Sequence, residues 1–196
     1  MTLPRSFWFL RHGETDWNRE GMMQGWIDIP LNETGRIQAR GAAALLEKLP
    51  VSLIVASPLS RAHETALIVN EALKKPVLID ERLRERRFGT LEGTRWRDLL
   101  GHERAADDPH SLFEGHGSPC PEGAEPYELF ERRVMDAVRA HMDGPESLLP
   151  RNILFVAHGG VCRALSNALT GAARRTPNAR PLLFEKSGAA WSVREA

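Results

Sequence analysis

Three short apolar runs, each followed at once by a small or polar residue, constrain the fold of this chain more than any other feature. The runs occupy residues 7–10, 53–56 and 153–157. Each is bounded by turn-forming residues and precedes a stretch with helical periodicity, a pattern typical of buried strands in a largely parallel sheet. The sequence therefore predicts an α/β protein with a mostly parallel central sheet.

The helices are predicted between these strands, at 34–49, 59–74, 125–143 and 159–170. In the third helix, Tyr127, Phe130, Val134 and Val138 recur at helical spacing, which indicates a face packed on the core. Two apolar runs at 182–184 and 189–193 predict a hairpin at the edge of the sheet. Such an edge either packs within its own subunit or pairs with a second one, so both a monomer and a homodimer remain open.

The length of 196 residues suits a single domain spanning 1–196. The segment at about 101–124 is rich in Gly, Pro, His and acidic residues, and it is too long for an ordinary connection. We therefore expect it to form a lid or a surface excursion of that domain.

The charge balance excludes some partners. Lys and Arg total 26, as do Asp and Glu, so no overall field favours nucleic acid or an acidic membrane. No apolar stretch has the length of a membrane span or of a secretory signal. The two cysteines, Cys120 and Cys162, form no CxxC motif, which favours a reduced, cytoplasmic environment.

Positive and imidazole side chains follow all three strand-like runs. Arg11 and His12 follow the first run, Arg61 lies just past the second, and His158 follows the third. Taken one at a time, each is most simply a surface arginine or a structural histidine. Because ligands of open parallel sheets bind at the carboxyl ends of the strands, however, these side chains are expected to converge on one anion. A helix starting near Thr15 is expected to add free backbone N–H groups.

Glu85 is the fourth candidate. Alone it belongs to a charged stretch at 82–89 that is most simply a solvated surface. Together with two histidines and two arginines it completes a set that can transfer a phosphoryl group. The arginines neutralise the phosphoryl group, a neutral imidazole attacks in line, and a carboxylic acid protonates the leaving oxygen.

Four separated segments resemble the signature segments of the histidine phosphatase superfamily, the phosphoglycerate-mutase-like proteins. The resemblance covers about residues 6–170, in family order and spacing, and includes the stretch 28–35 after the first signature. The segments are Arg11-His12-Gly13-Glu14-Thr15, Ser57-Pro58-Leu59-Ser60-Arg61-Ala62, Leu83-Arg84-Glu85-Arg86-Arg87-Phe88-Gly89 and Val156-Ala157-His158-Gly159-Gly160-Val161.

The resemblance implies a three-layer α/β/α sandwich and a phosphohistidine on His12, with Glu85 as the proton donor. It implies no metal and no organic cofactor, and its substrate is a small phosphorylated metabolite. The three histidines at 102, 110 and 116 have acidic neighbours and are candidates for a metal site, but we expect them to be solvated, because loop histidines usually are and no ligand-spaced cysteine accompanies them. The phosphate pocket implied by the resemblance consists of Arg11, Asn18, Arg61, His158 and Gly159.

Within this family the sequence favours a phosphatase over a mutase. A mutase must exclude water and hold a second anionic group, which requires a lid rich in cations. Here Gly93 is followed by Thr94-Arg95-Trp96-Arg97-Asp98 without a lysine, and Arg104 is the one Lys or Arg in 101–124. The alternatives are phosphoglycerate-mutase-type transfer and a non-catalytic phospholigand-binding protein, although the latter is expected to have lost His12, Glu85 or His158.

Five further residues are candidates for the approach to the pocket. The aromatic ones either line it or pack in the core, and the arginines either bind a second group of the substrate or lie on a solvated face. They are Trp17, Trp26, Trp96, Arg86 and Arg95.

Overall fold

The computed structural model describes residues 3–99, 120–143 and 152–196. In these ranges the chain forms a six-stranded sheet with the order β3-β2-β4-β1-β5-β6. The strands are β1 (Phe7–Arg11), β2 (Leu53–Ala56), β3 (Val77–Ile79), β4 (Ile153–Ala157), β5 (Pro181–Ser187) and β6 (Ala190–Glu195).

The first four strands run parallel, which confirms the predicted sheet. Strand β5 pairs antiparallel with β1, and β6 pairs antiparallel with β5 at the edge, as predicted for the C-terminal hairpin. The sequence did not reveal β3, because this edge strand has only three residues and two of them are exposed.

The α-helices described in full are α1 (Asp16–Glu20), α2 (Glu33–Leu46), α3 (Ser60–Leu73), α4 (Tyr127–Met142) and α5 (Gly159–Thr170). The four longer ones agree with the predicted helices to within three residues at each end. Local chemistry sets their ends. The Asn32 side chain accepts a bond from the backbone N–H of Gly35 and starts α2, and the left-handed Gly171 ends α5.

The sheet carries a helical layer on each face, because its strands alternate their apolar side chains. In β4, Phe155 and Ala157 pack with α4 and α5, whereas Leu154 and Val156 pack with α2 and α3. All five residues of β4, including Ile153, are buried, as a strand covered on both sides requires. The predicted three-layer α/β/α sandwich is confirmed.

The carboxyl ends of β1, β2 and β4 meet at one edge of the sheet. Arg11 lies opposite Ala157 in the ladder between β1 and β4, and Ala56 lies opposite Val156. The next residues continue this register, since the His12 backbone N–H donates to Ala157 (2.9 Å) and that of Ser57 donates to Val156 (3.0 Å). His12, Ser57 and His158 therefore leave the sheet side by side.

Most of the predicted lid, residues 100–119, lies outside the described residues. In the parts of the chain that are described, no helix combines the length and apolar character that crossing a membrane requires.

Candidate active site

His12 is buried at the end of β1, with one ring nitrogen fixed by the backbone. Its Nδ1 lies 2.7 Å from the carbonyl oxygen of Gly13. Because a carbonyl oxygen only accepts hydrogen bonds, Nδ1 carries the proton and Nε2 keeps a lone pair. The ring is thus held in the tautomer that a nucleophilic imidazole needs.

The Gly13 backbone makes this placement possible. A Cβ at Gly13 would lie 2.4 Å from the carbonyl oxygen of Gly35, so this position accepts no side chain. The N–H of Gly13 donates to Thr65 Oγ1 at 3.0 Å, which ties the loop after β1 to α3.

His158 faces His12, with 5.3 Å between the ring centroids. Its Nε2 lies 2.8 Å from Ser57 Oγ, so the end of β2 orients the ring at the end of β4. The other nitrogen, Nδ1, is buried and has no hydrogen-bond partner among the described residues. His158 itself is not among the residues that line the cleft beside His12.

The pKa of each of these histidines is well below its ordinary value of 6.5. Burial is the largest cause, because a charged imidazole would lose its hydration, and the positive charge of Arg61 is the next. Both rings are therefore neutral at neutral pH, which leaves His12 able to act as a nucleophile.

Arg11 and Arg61 bring two buried guanidinium groups to the same place. Arg11 Nη1 donates to the carbonyl of Thr176 at 2.9 Å, and Arg61 donates to the carbonyls of Ile27 (3.0 Å) and Gly25 (2.8 Å). Burial lowers the pKa of each arginine to about 10, so both stay charged at neutral pH. Within the described ranges the buried Nε of each has no protein acceptor, which suits a site for an anion.

Glu85 reaches this cleft from a loop rather than from a strand end. Its Oε1 accepts from the N–H of Arg86 (2.8 Å), and its Oε2 accepts from the N–H of Gly160 (2.9 Å) at the start of α5. A Cβ at Gly160 would lie 2.3 Å from Oε1, so the carboxyl group occupies space that only glycine leaves free. The predicted acid thus lines the same cleft as His12.

Asn18 also lines the cleft. Its Oδ1 accepts from the backbone N–H of Thr15 at 3.2 Å, within the capping box that starts α1. This fixes the orientation of the amide and leaves Nδ2 as the donor that can reach a phosphoryl oxygen.

Some backbone N–H groups near the start of α1 are used within the protein. The N–H of Glu14 donates to Gln38, and those of Thr15 and Asn18 are used within the capping box. That the start of α1 offers free N–H groups to an anion stays a prediction, which concerns Asp16 and Trp17.

The cleft has a volume of about 430 Å³, including space open to solvent. The predicted Arg11, His12, Asn18, Arg61, Glu85 and Gly159 all line it. A Cβ built on Gly159 would lie 3.5 Å from Arg11 Nε, so the glycine leaves space open beside the guanidinium group of Arg11.

Sequence reasoning missed two polar residues of the wall, Gln24 and Arg163. Gln24 lies in a segment without helix or strand, which gives no periodicity to read, and its buried Oε1 has no partner within the described ranges. Arg163 had a detectable signal. It lies four residues after Gly159 on α5 and therefore on the same face of that helix.

Among the candidates for the approach to the pocket, Trp96 lines the cleft and packs edge-on against Phe88. Among the described residues, the lining of the cleft does not include Trp17, Trp26 or Arg95. Arg95 is exposed. The interpretation of Arg86 as a second-site cation is wrong. This side chain is fully buried, and its Nε donates to the Glu125 carbonyl at 2.8 Å.

Within 3–99, 120–143 and 152–196 no three His, Cys, Asp or Glu side chains are grouped as metal ligands. The histidines at 102, 110 and 116 lie outside the described residues.

Comparisons with known proteins agree with this geometry. The sequence profile of the histidine phosphatase superfamily (branch 1) matches residues 7–192. A putative phosphoserine phosphatase 2 of Hydrogenobacter thermophilus is 35% identical over 168 residues, which are 85% of this chain and 79% of that protein. A metal-independent phosphoserine phosphatase of Arabidopsis thaliana is 34% identical over 167 residues, 83% of this chain and 68% of that protein. The solved structure of a mycobacterial glucosyl-3-phosphoglycerate phosphatase in complex with VO3 superimposes with a TM-score of 0.78 at 31% identity, covering 98% of each chain.

Proposed function

Because the chain belongs to the histidine phosphatase superfamily and is a histidine-type hydrolase of phosphomonoesters, we propose that His12 carries the phosphoryl group as a phosphohistidine. One observation above all supports this assignment. The 2.7 Å bond from Nδ1 to Gly13 leaves the Nε2 lone pair of a neutral ring within the positive field of the guanidinium groups of Arg61 and Arg11.

The phosphate pocket that we propose contains the side chains that converge at the strand ends. The two arginines neutralise the phosphoryl oxygens through donors that the protein backbone does not use, and His158 Nδ1 and Asn18 Nδ2 add two neutral donors. These groups bind the equatorial oxygens, on which negative charge is distributed in the transition state. Gly159 allows the phosphoryl group to approach Arg11 closely.

Glu85 then serves twice. As His12 Nε2 forms its bond to phosphorus and the ester P–O bond breaks, the carboxylic acid gives its proton to the leaving alcohol. The resulting carboxylate takes a proton from a water molecule that attacks the phosphohistidine, which releases inorganic phosphate and restores both groups. None of these steps uses a metal ion.

We propose a small phosphorylated metabolite as the substrate, since the cleft is a concave site in which Arg11, His12 and Arg61 converge on room for one phosphoryl group. The names of the relatives make phosphoserine and glucosyl-3-phosphoglycerate the first compounds to test. A cytoplasmic location remains a proposal that rests on the two unpaired cysteines, and monomer or homodimer remains open.

The test compares the native chain with His12→Ala in buffer that contains EDTA. We expect hydrolysis of p-nitrophenyl phosphate to fall by roughly 10³-fold or more in the variant, because it lacks the nucleophile. Quenching in alkali during turnover should trap protein-bound phosphate that is stable in base and labile in acid, in the native chain alone. His63→Ala, on α3 and outside the cleft lining, is the matched control and should keep full activity. Comparable turnover by His12→Ala would refute the phosphohistidine.

A second assay separates phosphatase from mutase. Incubation with 3-phosphoglycerate and its bisphosphate should release inorganic phosphate at least as fast as it forms 2-phosphoglycerate. Rapid isomerisation without phosphate release would favour the mutase.

A further inference from the structure

We infer that Arg133 and Trp26 are positioning residues that hold the acid Glu85 at the cleft through its backbone. This inference rests on the proposed role of Glu85 as the acid. Neither residue lines the cleft, so neither contacts the substrate directly. Both donate to the carbonyl oxygen of Glu85, Trp26 Nε1 at 2.7 Å and Arg133 Nη2 at 2.8 Å.

Arg133 binds the whole segment that leads to the acid. From α4, its Nη1 donates to the carbonyls of Arg82 and Arg84, each at 2.8 Å. Its Nε and Nη2 form a bidentate pair with the Glu125 carboxylate, with both distances 2.7 Å. All five N–H groups of this guanidinium are thereby used, and a lysine, with three donors and no planar fork, cannot reproduce the arrangement.

Glu125 fixes this guanidinium relative to the loop that follows the acid. Its backbone N–H donates to the carbonyl of Arg87 at 2.9 Å, and its carbonyl accepts from Arg86 Nε at 2.8 Å. The pair of Arg133 and Glu125 is mostly buried, with side chains 19% and 17% exposed, so solvent screens it little.

Trp26 approaches the same carbonyl from the segment between α1 and α2. Its backbone N–H donates to Glu92 Oε1 at 3.0 Å, and the same oxygen accepts from the N–H of Phe88 at 2.9 Å. The guanidinium groups of Arg84 and Arg87 lie 5.1 and 5.8 Å from the centroid of its ring. The ring is thus fixed even though it is 38% exposed.

These contacts are needed because Glu85 lies in no helix or strand. A strand carbonyl would have a ladder partner, whereas here side chains provide the partners. The carboxyl group is held by two N–H groups, so fixing the carbonyl as well leaves the residue little freedom. A displacement of about 1 Å from a productive geometry can cost about 10²-fold in rate.

The experiment uses the dependence of rate on the leaving group. An alkyl ester such as phosphoserine needs its leaving oxygen protonated, whereas the activated aryl ester p-nitrophenyl phosphate does not. The ratio of kcat/KM for the two esters therefore reports the acid, because kcat/KM includes the step in which the ester bond breaks. The variants are Trp26→Phe, which keeps the ring and removes the N–H, and Arg133→Gln. Glu85→Gln is the reference.

We expect Glu85→Gln to lower kcat/KM for the alkyl ester by about 10²-fold or more relative to the aryl ester. Arg133→Gln and Trp26→Phe should lower the same ratio by roughly 10-fold. Inhibition by inorganic phosphate should change less than about threefold in these two variants, because the arginines that bind it are not moved. Arg132→Gln, an exposed neighbour on α4, should match the native chain in every respect.

Two results would overturn the inference. If Glu85→Gln lowers the ratio but Trp26→Phe and Arg133→Gln slow both esters equally, the two residues only stabilise the fold. If Glu85→Gln leaves the ratio unchanged, the acid role itself fails, and the inference fails with it. Should Arg133→Gln not fold, Trp26→Phe decides alone, since it removes a single N–H.

Discussion

Replacing Gly160 by alanine tests the position of the acid from the carboxyl side. The new Cβ would lie 2.3 Å from Glu85 Oε1 and 3.0 Å from its Cδ. The first distance is about 1 Å shorter than the 3.4 Å at which ordinary van der Waals contact begins. Since the colliding atoms are the end of a flexible side chain, we expect the carboxyl group to swing away while the protein stays folded.

The magnitude follows from what the carboxyl group loses. Its Oε2 gives up the 2.9 Å bond from the N–H of Gly160, worth about 0.5–1.5 kcal/mol, and it leaves its catalytic position. Acid catalysis contributes about 10²–10⁴-fold. We therefore expect kcat/KM for phosphoserine to fall by about 10²-fold, equivalent to about 2.7 kcal/mol in the barrier.

The assay measures kcat/KM for phosphoserine and p-nitrophenyl phosphate together with the melting temperature. Gly41→Ala is the matched control, because a Cβ on this exposed position of α2 meets no atom within 4 Å. It should keep native activity and gain about 0.5–1 kcal/mol of stability. A folded Gly160→Ala variant with native kcat/KM for phosphoserine would refute the assignment of Glu85 as the acid.

Three other predictions test the packing, the charge state and the wall of the site. Gly35→Ala would bring a Cβ within 2.1 Å of the carbonyl oxygen of Glu14. Because a backbone atom cannot move aside, we expect the free energy of unfolding in urea to fall by about 3 kcal/mol or more. A native unfolding midpoint would contradict this. The pKa values of His12 and His158 are lowered in the folded chain. As the pH falls below about 6.5, the unfolded chain therefore binds protons that the folded chain does not, and the free energy of unfolding decreases. His158→Gln should reduce the slope of unfolding free energy against pH below 6.5 by up to about 1.4 kcal/mol per pH unit, and an unchanged slope would show that this ring is protonated in the folded state. Arg163→Gln should raise KM for phosphoserine, which carries a carboxylate, by about 10-fold, while KM for p-nitrophenyl phosphate changes little. Equal increases in KM for both esters would exclude a contact between Arg163 and the carboxylate.

The sequence predicted the part of the site that the sheet builds. Strand ends can be read from short apolar runs, and the parallel order brings the residues that follow them together, so His12 and His158 could be placed by rules of topology. Arg61 followed from its position in the first turn of α3. These three residues depend on regular elements whose geometry the sequence encodes locally.

The parts that were missed depend on contacts between distant loops. Gln24 lies in a turn without periodicity, and the burial of Arg86 follows from its bond to Glu125, a residue 39 positions away. The backbone just before α1 is likewise held by a distant contact, since the N–H of Glu14 donates to the side chain of Gln38. A single sequence gives no signal for such pairings, because nothing local specifies which loops meet.

The two halves of the catalytic machinery are therefore held in different ways. Sheet ladders hold the phosphate pocket, since the backbone of His12 continues the hydrogen bonding of β1 to β4. Side chains hold the acid, through the carbonyl of Glu85 and the donors Arg133 and Trp26. Changes at these donors should alter the response of the rate to the leaving group while leaving phosphate binding intact. Changes at Arg11 should instead weaken phosphate binding and leave the response to the leaving group intact. Substrate range within this fold can consequently change through the loop contacts alone, without disturbing the strand ends that bind the phosphoryl group.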